Sequence, residues 1–410
     1  MSASGERRVA VTGLGLMTGL GLDVASTWRG LMAGRRTGAR FRLFPPEGLK
    51  TTFGVELPDG ADDLFAQLIK PRSRTQMTRG TRIAVATAHQ ALADAGLDPA
   101  GGDGIDRERV GVVCGGTGTG YAPGPDPDDH RILRNMASAP AAWISLREKL
   151  LGPSLVVSTA CSSGAYALHA AHGLIARGEC DLVVAGAADS SVNFLDVRGF
   201  GALLALAEDG DDPASASRPF DRRRSGFVLG EGGGMLVLEA EESARRRGAR
   251  MYAMLHSPGL SSEGYNILSP EPDGRGMART IRRALERAGL APEAIDYVNA
   301  HGTSTPLNDR YETQALKDVF GAHAAALAVS STKGATGHCL SAAAGVEAVI
   351  AVKALALQIV PPTLNLTDPD PELDLDYVPQ GPRPRALRHV LSSSFAFGGQ
   401  NGVCIFSAIP

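Results

Sequence analysis

The sequence predicts a layered α/β fold, and three observations carry that prediction. Strand-like and helix-like segments alternate along the 410 residues, the pattern of a sheet covered by helices. A strand, a small-residue turn and an Ala-rich helix follow one another at 156–178 and again at 328–357, an internal echo of the kind that marks two similar halves. A hydrophobic content of 43% with 21% charged residues is that of an ordinary globular chain. Its length suits two to three domain-sized units or one large duplicated one.

The elements follow in order. Residues 8–12 form a first strand that ends in Gly, and 252–259 loosely repeat it. Residues 82–95 have apolar positions at helical spacing and stop at Gly96. Strands are predicted at 110–114, 181–186 and 233–238, and helices at 239–247 and 280–288. The junction of the halves falls near 240–255, which divides the chain into 1–250 and 251–410. The Gly-rich runs at 13–19 and 115–120 follow strands but spell neither a dinucleotide fingerprint nor a P-loop. They read as turns and places of close backbone approach. Residues 123–129, with three prolines and three aspartates, read as an exposed loop.

Composition excludes several functions. A net charge of −3 offers no basic surface for nucleic acid. Five scattered cysteines without a CxxC pair fit reduced thiols in a cytoplasm, not a disulfide framework or a zinc site. The N-terminal apolar run holds Asp23 and lacks a clear cleavage site, so it reads as a strand and not an export signal. The most apolar stretch, 342–360, contains Glu347 and Lys353, which argues against a membrane span.

Cys161 lies in VVSTACSSG at 156–164, where a strand ends, small residues turn and a helix follows. A thiol at a helix N-terminus meets free N–H groups and the positive dipole end, which favour thiolate. It could then attack an acyl group, with the same N–H groups holding the oxyanion. The competing reading is a buried core cysteine. Three other segments bear on this choice. They are VNAHGTSTP at 298–306, SSTKGATGH at 330–338 and SSFAFGGQN at 393–401. Each sets a reactive or backbone-exposing group where a strand ends. A lone His would more often be structural, but the four segments together, in this order, point to one site.

The four segments resemble the β-ketoacyl-acyl-carrier-protein synthases. The resemblance runs from about residue 8 to residue 406 through TACSSG, AHGTSTPLND, STKGATGH and SFAFGGQN. It implies a thiolase-like fold, a five-layer αβαβα sandwich of two related halves, working as a homodimer or a close heterodimer. It also implies a decarboxylative condensation. Cys161 would take an acyl group from acyl carrier protein. His301 and His338 would stabilise the enolate formed when a malonyl thioester loses CO2. The product would be a 3-oxoacyl thioester. Which His first takes the Cys161 proton stays open. The resemblance places the oxyanion on the N–H groups of Cys161 and Phe397, and makes Phe395, Ala396, Phe397, Gly398 and Gly399 a gate loop. It pairs Lys333 with Glu312, in the segment that begins at Asp309, as a buried ion pair that orients the histidines. It implies no cofactor or catalytic metal, with a structural monovalent cation near Asn299 and Glu347.

The sequence also departs from that family. The run between Gly120 and Asn135 is short, which should reshape the acyl pocket. Ala396 stands where relatives usually have Gly, which predicts a stiffer or shifted gate. Leu204 stands where several relatives carry a basic residue facing the carrier. Arg72, Arg74, Arg79 and Arg222, Arg223 and Arg224 remain as candidate carrier contacts, or as plain surface charges. These departures favour a specialised type II polyketide or polyene pathway over housekeeping fatty-acid elongation. A non-catalytic chain-length partner is disfavoured by the intact Cys161, His301, Lys333 and His338. A thiolase would need a second active cysteine, and Cys404 reads as structural. A decarboxylation-only enzyme is disfavoured by the intact catalytic set, and an unusual acceptor stays open.

Overall fold

The computed structural model describes residues 6–98, 104–116, 130–207 and 212–409. The loop expected at 123–129 and most of the short run after Gly120 lie outside them. Eleven strands share one hydrogen-bonded ladder. They are β1 (Val9–Met17), β2 (Val110–Gly115), β3 (Ser154–Val157), β4 (Leu182–Asp189), β5 (Gly232–Ala240), β6 (Ala253–Leu255), β7 (Gly259–Ser262), β8 (Tyr297–Asn299), β9 (Ala328–Ser330), β10 (His389–Phe395) and β11 (Gln400–Ser407). Their order is β9-β8-β10-β11-β6-β1-β5-β4-β2-β3, with β7 on β11. Most are buried at every residue, and their apolar runs lack strict alternation because helices cover both faces.

The ladder falls into two five-stranded groups, counting β6 and β7 as one broken strand. The join is β6, which pairs with Val9–Val11 of β1 on one side and with Phe406 and Ser407 of β11 on the other. Helices α1 (Arg79–Asp94) and α2 (Ala139–Glu148) cover the outside of the first group. Helices α3 (Ser163–Ala176) and α4 (Phe194–Ala202) follow, then α5 (Arg275–Ala288) and α6 (Pro306–Phe320), which flank the second group, and α7 (Ala343–Leu357). α3 and α7 lie between the two groups: α7 packs on β5 and on β10, and α3 on β4 and β11. The result is the five-layer αβαβα sandwich.

α7 is apolar around its whole circumference because sheet lies on both sides of it. The stretch Leu340–Leu357 is long and apolar enough to cross a membrane, yet 83% of it is buried inside this fold. Here it is the central layer. Glycines set how closely that layer packs. A Cβ on Gly164 of α3 would meet the Gly345 nitrogen at 2.5 Å, and one on Gly234 of β5 would meet the Gly345 oxygen at 2.3 Å.

The first strand corrects the sequence reading. It does not end at Gly13 but runs to Met17. Gly13 and Gly15 are strand residues against which α1 presses, so that a Cβ on either would fall about 2 Å from the Ala91 or Thr87 oxygen. Close backbone approach explains these glycines, and no turn is needed.

Candidate active site

The nucleophile turn is held tightly. β3 ends at Val157 and α3 begins at Ser163. Between them Ala160 adopts φ +46°, a left-handed conformation that is uncommon for a residue with a Cβ. Ser163 Oγ fastens the turn by accepting from Thr159 N at 2.9 Å and donating to Ala160 O at 2.7 Å. Ser162 Oγ donates to the Gln400 carbonyl at 2.7 Å, tying the turn to the C-terminal segment.

Cys161 is buried, and its environment corrects the expectation of a thiolate. Loss of water pushes the thiol up to about 12. Lys333 and the backbone N–H groups of Phe397 and Cys161 oppose this, while Asp189 adds to it. The resting sulfur is therefore a thiol, since burial outweighs Lys333 and the backbone N–H groups that favour its charge. Asp189, fully buried, is itself raised to about 6 by desolvation, although Ser341 and Ser191 donate to it.

Both expected histidines meet the sulfur. His338 Nε2 lies 3.2 Å from Cys161 Sγ. The Cys161, His301 and His338 ligand atoms all fall within 4.8 Å of one another. The two rings stand nearly perpendicular, with centroids 5.3 Å apart. Burial and then Lys333 hold both well below the ordinary histidine value, so both are neutral. A neutral imidazole can accept a proton at one nitrogen and donate from the other.

Lys333 lies in this site, but its partner differs from the expected one. Its Nζ donates to Glu347 and to the His301 carbonyl. Glu312 does not pair with Lys333. Its carboxylate instead accepts from His301 N at 2.8 Å, Gly302 N at 2.7 Å and Ser393 Oγ at 2.8 Å. The reason is geometric: α6 presents Glu312 to the backbone of the His301 turn, where N–H groups converge, whereas α7 brings Glu347 to the ammonium. Asp309 likewise holds backbone, accepting from Phe220 N at 2.9 Å and Ser304 N at 3.2 Å. Asn299 Oδ1 and Glu347 Oε2 are each buried and have no hydrogen-bond donor.

The segment from Phe395 to Gly399 closes over the sulfur. The Phe395 ring meets the His301 ring edge-on, with centroids 6.1 Å apart. Ala396 has φ −106° and ψ 154°, where a Cβ fits without strain, and it packs in one apolar cluster with Cys161. Gly398 and Gly399 have φ +80° and +68°, angles that favour Gly. Gly398 N donates to the Ile267 carbonyl at 2.8 Å, and Glu263 N to the Gly399 carbonyl at 2.9 Å, so the loop is latched to a second one.

A cavity of about 360 Å³ leads from Cys161, His301 and His338 past Phe397 and Thr303 to a rim that includes Leu204 and Leu307. Four of the arginines offered as carrier contacts pair with carboxylates of this chain, whereas Arg72 is exposed and Arg74 half-buried. Arg222 pairs with Asp368 at 2.8 Å, Arg223 with Asp221 at 3.3 Å and Arg224 with Asp370 at 2.7 Å. Arg79 is turned in against Glu231 at 2.7 Å. Sequence reasoning missed Asp189, and it missed Glu263, which accepts from Asn401 Nδ2 at 2.8 Å beside the gate. Neither lies in a motif that marks it.

Comparison with known proteins gives this geometry a family. Residues 6–244 match the beta-ketoacyl synthase N-terminal domain, and residues 252–367 match its C-terminal domain. The chain belongs to the beta-ketoacyl synthase family. A 3-oxoacyl-[acyl-carrier-protein] synthase 2 from Synechocystis sp. is 40% identical, the match covering 98% of each chain. The ketoacyl synthase alpha subunit of tetracenomycin polyketide synthase from Streptomyces glaucescens is 37% identical, over 99% of this chain and 98% of that one. Among solved structures, the ishigamide ketosynthase/chain length factor superposes with a TM-score of 0.90 at 32% identity, covering 99% of this chain and all of that one. A type II polyketide acyl-carrier protein in complex with its ketosynthase gives 0.88 at 30% identity, with 99% and 100% covered. As a beta-ketoacyl synthase the chain is an acyl-transferring enzyme of carrier-dependent condensation.

Proposed function

We propose that this enzyme loads an acyl group from acyl carrier protein onto Cys161 and condenses it with malonyl-acyl carrier protein in a specialised type II polyketide or polyene pathway. The observation that carries the reading is the 3.2 Å contact between Cys161 Sγ and the neutral His338 Nε2. As sulfur attacks the thioester carbonyl, its proton passes to His338 and then to the departing carrier thiolate. The oxyanion meets the N–H groups of Cys161 and Phe397, a role supported by their lowering of the Cys161 thiol. In the second half-reaction the malonyl C–C bond breaks, CO2 leaves and the electron pair becomes an enolate beside His301 and His338. Its carbon attacks the acyl-Cys161 carbonyl. The released thiolate takes up the one proton that the overall reaction consumes. Lys333, Glu347, Glu312 and Asp309 hold the histidine turns.

The same reading divides the chain at 1–250 and 251–410 and makes it a cytoplasmic enzyme, for which five buried free cysteines are the support. It also makes the enzyme a homodimer or a heterodimer with a similar subunit. Support comes from β3, which ends the ladder, and from nearby Ile132, Leu146 and Leu151, which are 85%, 69% and 67% exposed. Asn299 Oδ1 and Glu347 Oε2 would hold a structural monovalent cation, which would supply charge balance and no chemistry.

The test is intact mass spectrometry after incubation with a panel of acyl-carrier thioesters. Acylation is expected at Cys161 and absent in Cys161→Ala, which should lose condensation while keeping some malonyl decarboxylation at the two histidines. Condensation by that variant would overturn the mechanism. A broad preference for ordinary saturated medium chains would overturn the specialised pathway.

A further inference from the structure

The carrier must meet this enzyme at the cavity rim, because Cys161 is only 5% exposed and the cavity opens there. That rim has an unusual chemistry. Among the described residues its lining contains no Lys or Arg, and its one carboxylate is Glu263. Large apolar side chains stand at the opening instead. Leu203, Leu204, Leu268 and Leu307 all line it and are all exposed, Leu204 most of all at 78%.

Leu204 carries a second, independent peculiarity. α4 ends in a Schellman turn. Ala205 N donates to Phe200 O at 3.2 Å and Leu204 N to Gly201 O at 3.1 Å. This puts Leu204 at the position after the helix cap, with φ +55°. Gly is the residue that suits such a site, because a Cβ is unfavourable in the left-handed region. Here the chain holds a leucine in an unfavourable conformation and also leaves its side chain in water. Folding gains nothing from either. Strained backbone of this kind collects at functional positions, and an exposed apolar cluster marks a binding surface.

We propose that the carrier protein docks on this rim by apolar contact, with Leu204 as the anchor against an apolar patch of the carrier. The inference rests on the carrier-thioester reading above. A lining whose one charged side chain is Glu263 would neither attract nor steer an acidic carrier face. The arginines next in sequence to Ser225 on the rim are held by Asp368, Asp221 and Asp370 of this same chain.

The test compares loading of Cys161 from an acyl-carrier protein with loading from the same acyl group on free pantetheine. With the carrier substrate, kcat/KM of the native enzyme should change by less than about threefold as salt rises from about 0.05 to about 0.5 M, because apolar contact is not screened. Leu204→Gly should lower kcat/KM for the carrier substrate about tenfold, mainly through KM. Its effect on the pantetheine substrate should be at least about fivefold smaller. Its Tm should equal or exceed that of the native enzyme, since Gly suits the turn. A fall of more than about tenfold across the salt range would overturn the proposal. So would equal losses on both substrates, a lowered Tm, or a change in self-association alone, which would make a second copy the occupant. Failure of both thioesters to load Cys161 would instead sink the underlying reading.

Discussion

Glu312 and Glu347 are both fully buried, both serve the His301 turn, and they are satisfied in opposite ways. Glu312 accepts two backbone N–H groups and a hydroxyl. Glu347 meets the ammonium of Lys333, which also holds the His301 carbonyl. Burial pushes both carboxyls up. In one case fixed backbone dipoles offset that cost, and in the other a movable cation does. Backbone dipoles can fix the path of a turn. A cation can also set the charge felt by neighbouring imidazoles, and Lys333, after burial, helps to hold His301 and His338 low. Identical side chains thus do different work: Glu312 shapes the site and Glu347 sets its charge balance.

The strongest challenge to this contrast is Lys333→Met. It leaves Glu347 buried without its cation, which should cost about 3–5 kcal/mol. A carboxyl whose folded value is raised contributes most stability below its unfolded value and loses it as pH rises through the folded value. The penalty in Lys333→Met should therefore be small near pH 5 and grow past about 7, the value to which Glu347 is raised even with Lys333 present. Urea melts across that range would show it, and adding Glu347→Gln should recover most of the loss. A penalty that ignores pH would break the assignment.

Next in size is Glu312→Gln. Its amide can accept one of the two converging N–H groups but turns donors toward the other, a mismatch of about 1–3 kcal/mol. Because the damage is to the turn, the single change should displace His301 and slow condensation, and adding Lys333→Met should bring no recovery. Recovery in that double variant would mean that Lys333 pairs with Glu312 after all.

The smallest effect concerns a third buried carboxyl, Asp189, held by hydroxyls and one N–H. Its value is raised to about 6, so its contribution is complete below the ordinary carboxylate value and lost as pH rises through 6. Asp189→Asn should match the native stability at acid pH and exceed it at pH 8. Removing that charge should also lower the Cys161 thiol and speed its alkylation at fixed pH. An unchanged alkylation rate would show that Asp189 does not act on the sulfur.

Much of this was legible before any coordinates. The helix at 82–95, the strands around 110, 182 and 233, and the meeting of Cys161, His301, Lys333 and His338 all follow from local pattern and from motif. What was not legible depends on approach between distant layers. Nothing near Lys333 in sequence says which of two buried glutamates reaches it, because that is decided by where α7 packs between β5 and β10. The glycines at 13 and 15 read as turns or close backbone approach, and the choice was not legible because the helix that presses on them is encoded some seventy residues later. The thiolate expectation weighed the helix terminus, which is local, without the desolvation of Cys161, which is not. Arg222 and Arg224 looked like free charge because their partners, Asp368 and Asp370, come from a distant segment.

The glycine contact at the centre of the sandwich has a consequence for how such an enzyme can diversify. Gly164 lies three residues from the nucleophile, and its missing Cβ is what lets α3 approach within reach of the Gly345 nitrogen. A single added methyl there would shift α3, and Cys161 would move away from His338. The catalytic spacing is thus written into a part of the molecule that never touches substrate, and variation at those positions is closed off. The rim around Leu204 is open to water and carries no such constraint. New partners and new acyl groups should be acquired there, one exposed side chain at a time, over a centre that stays the same.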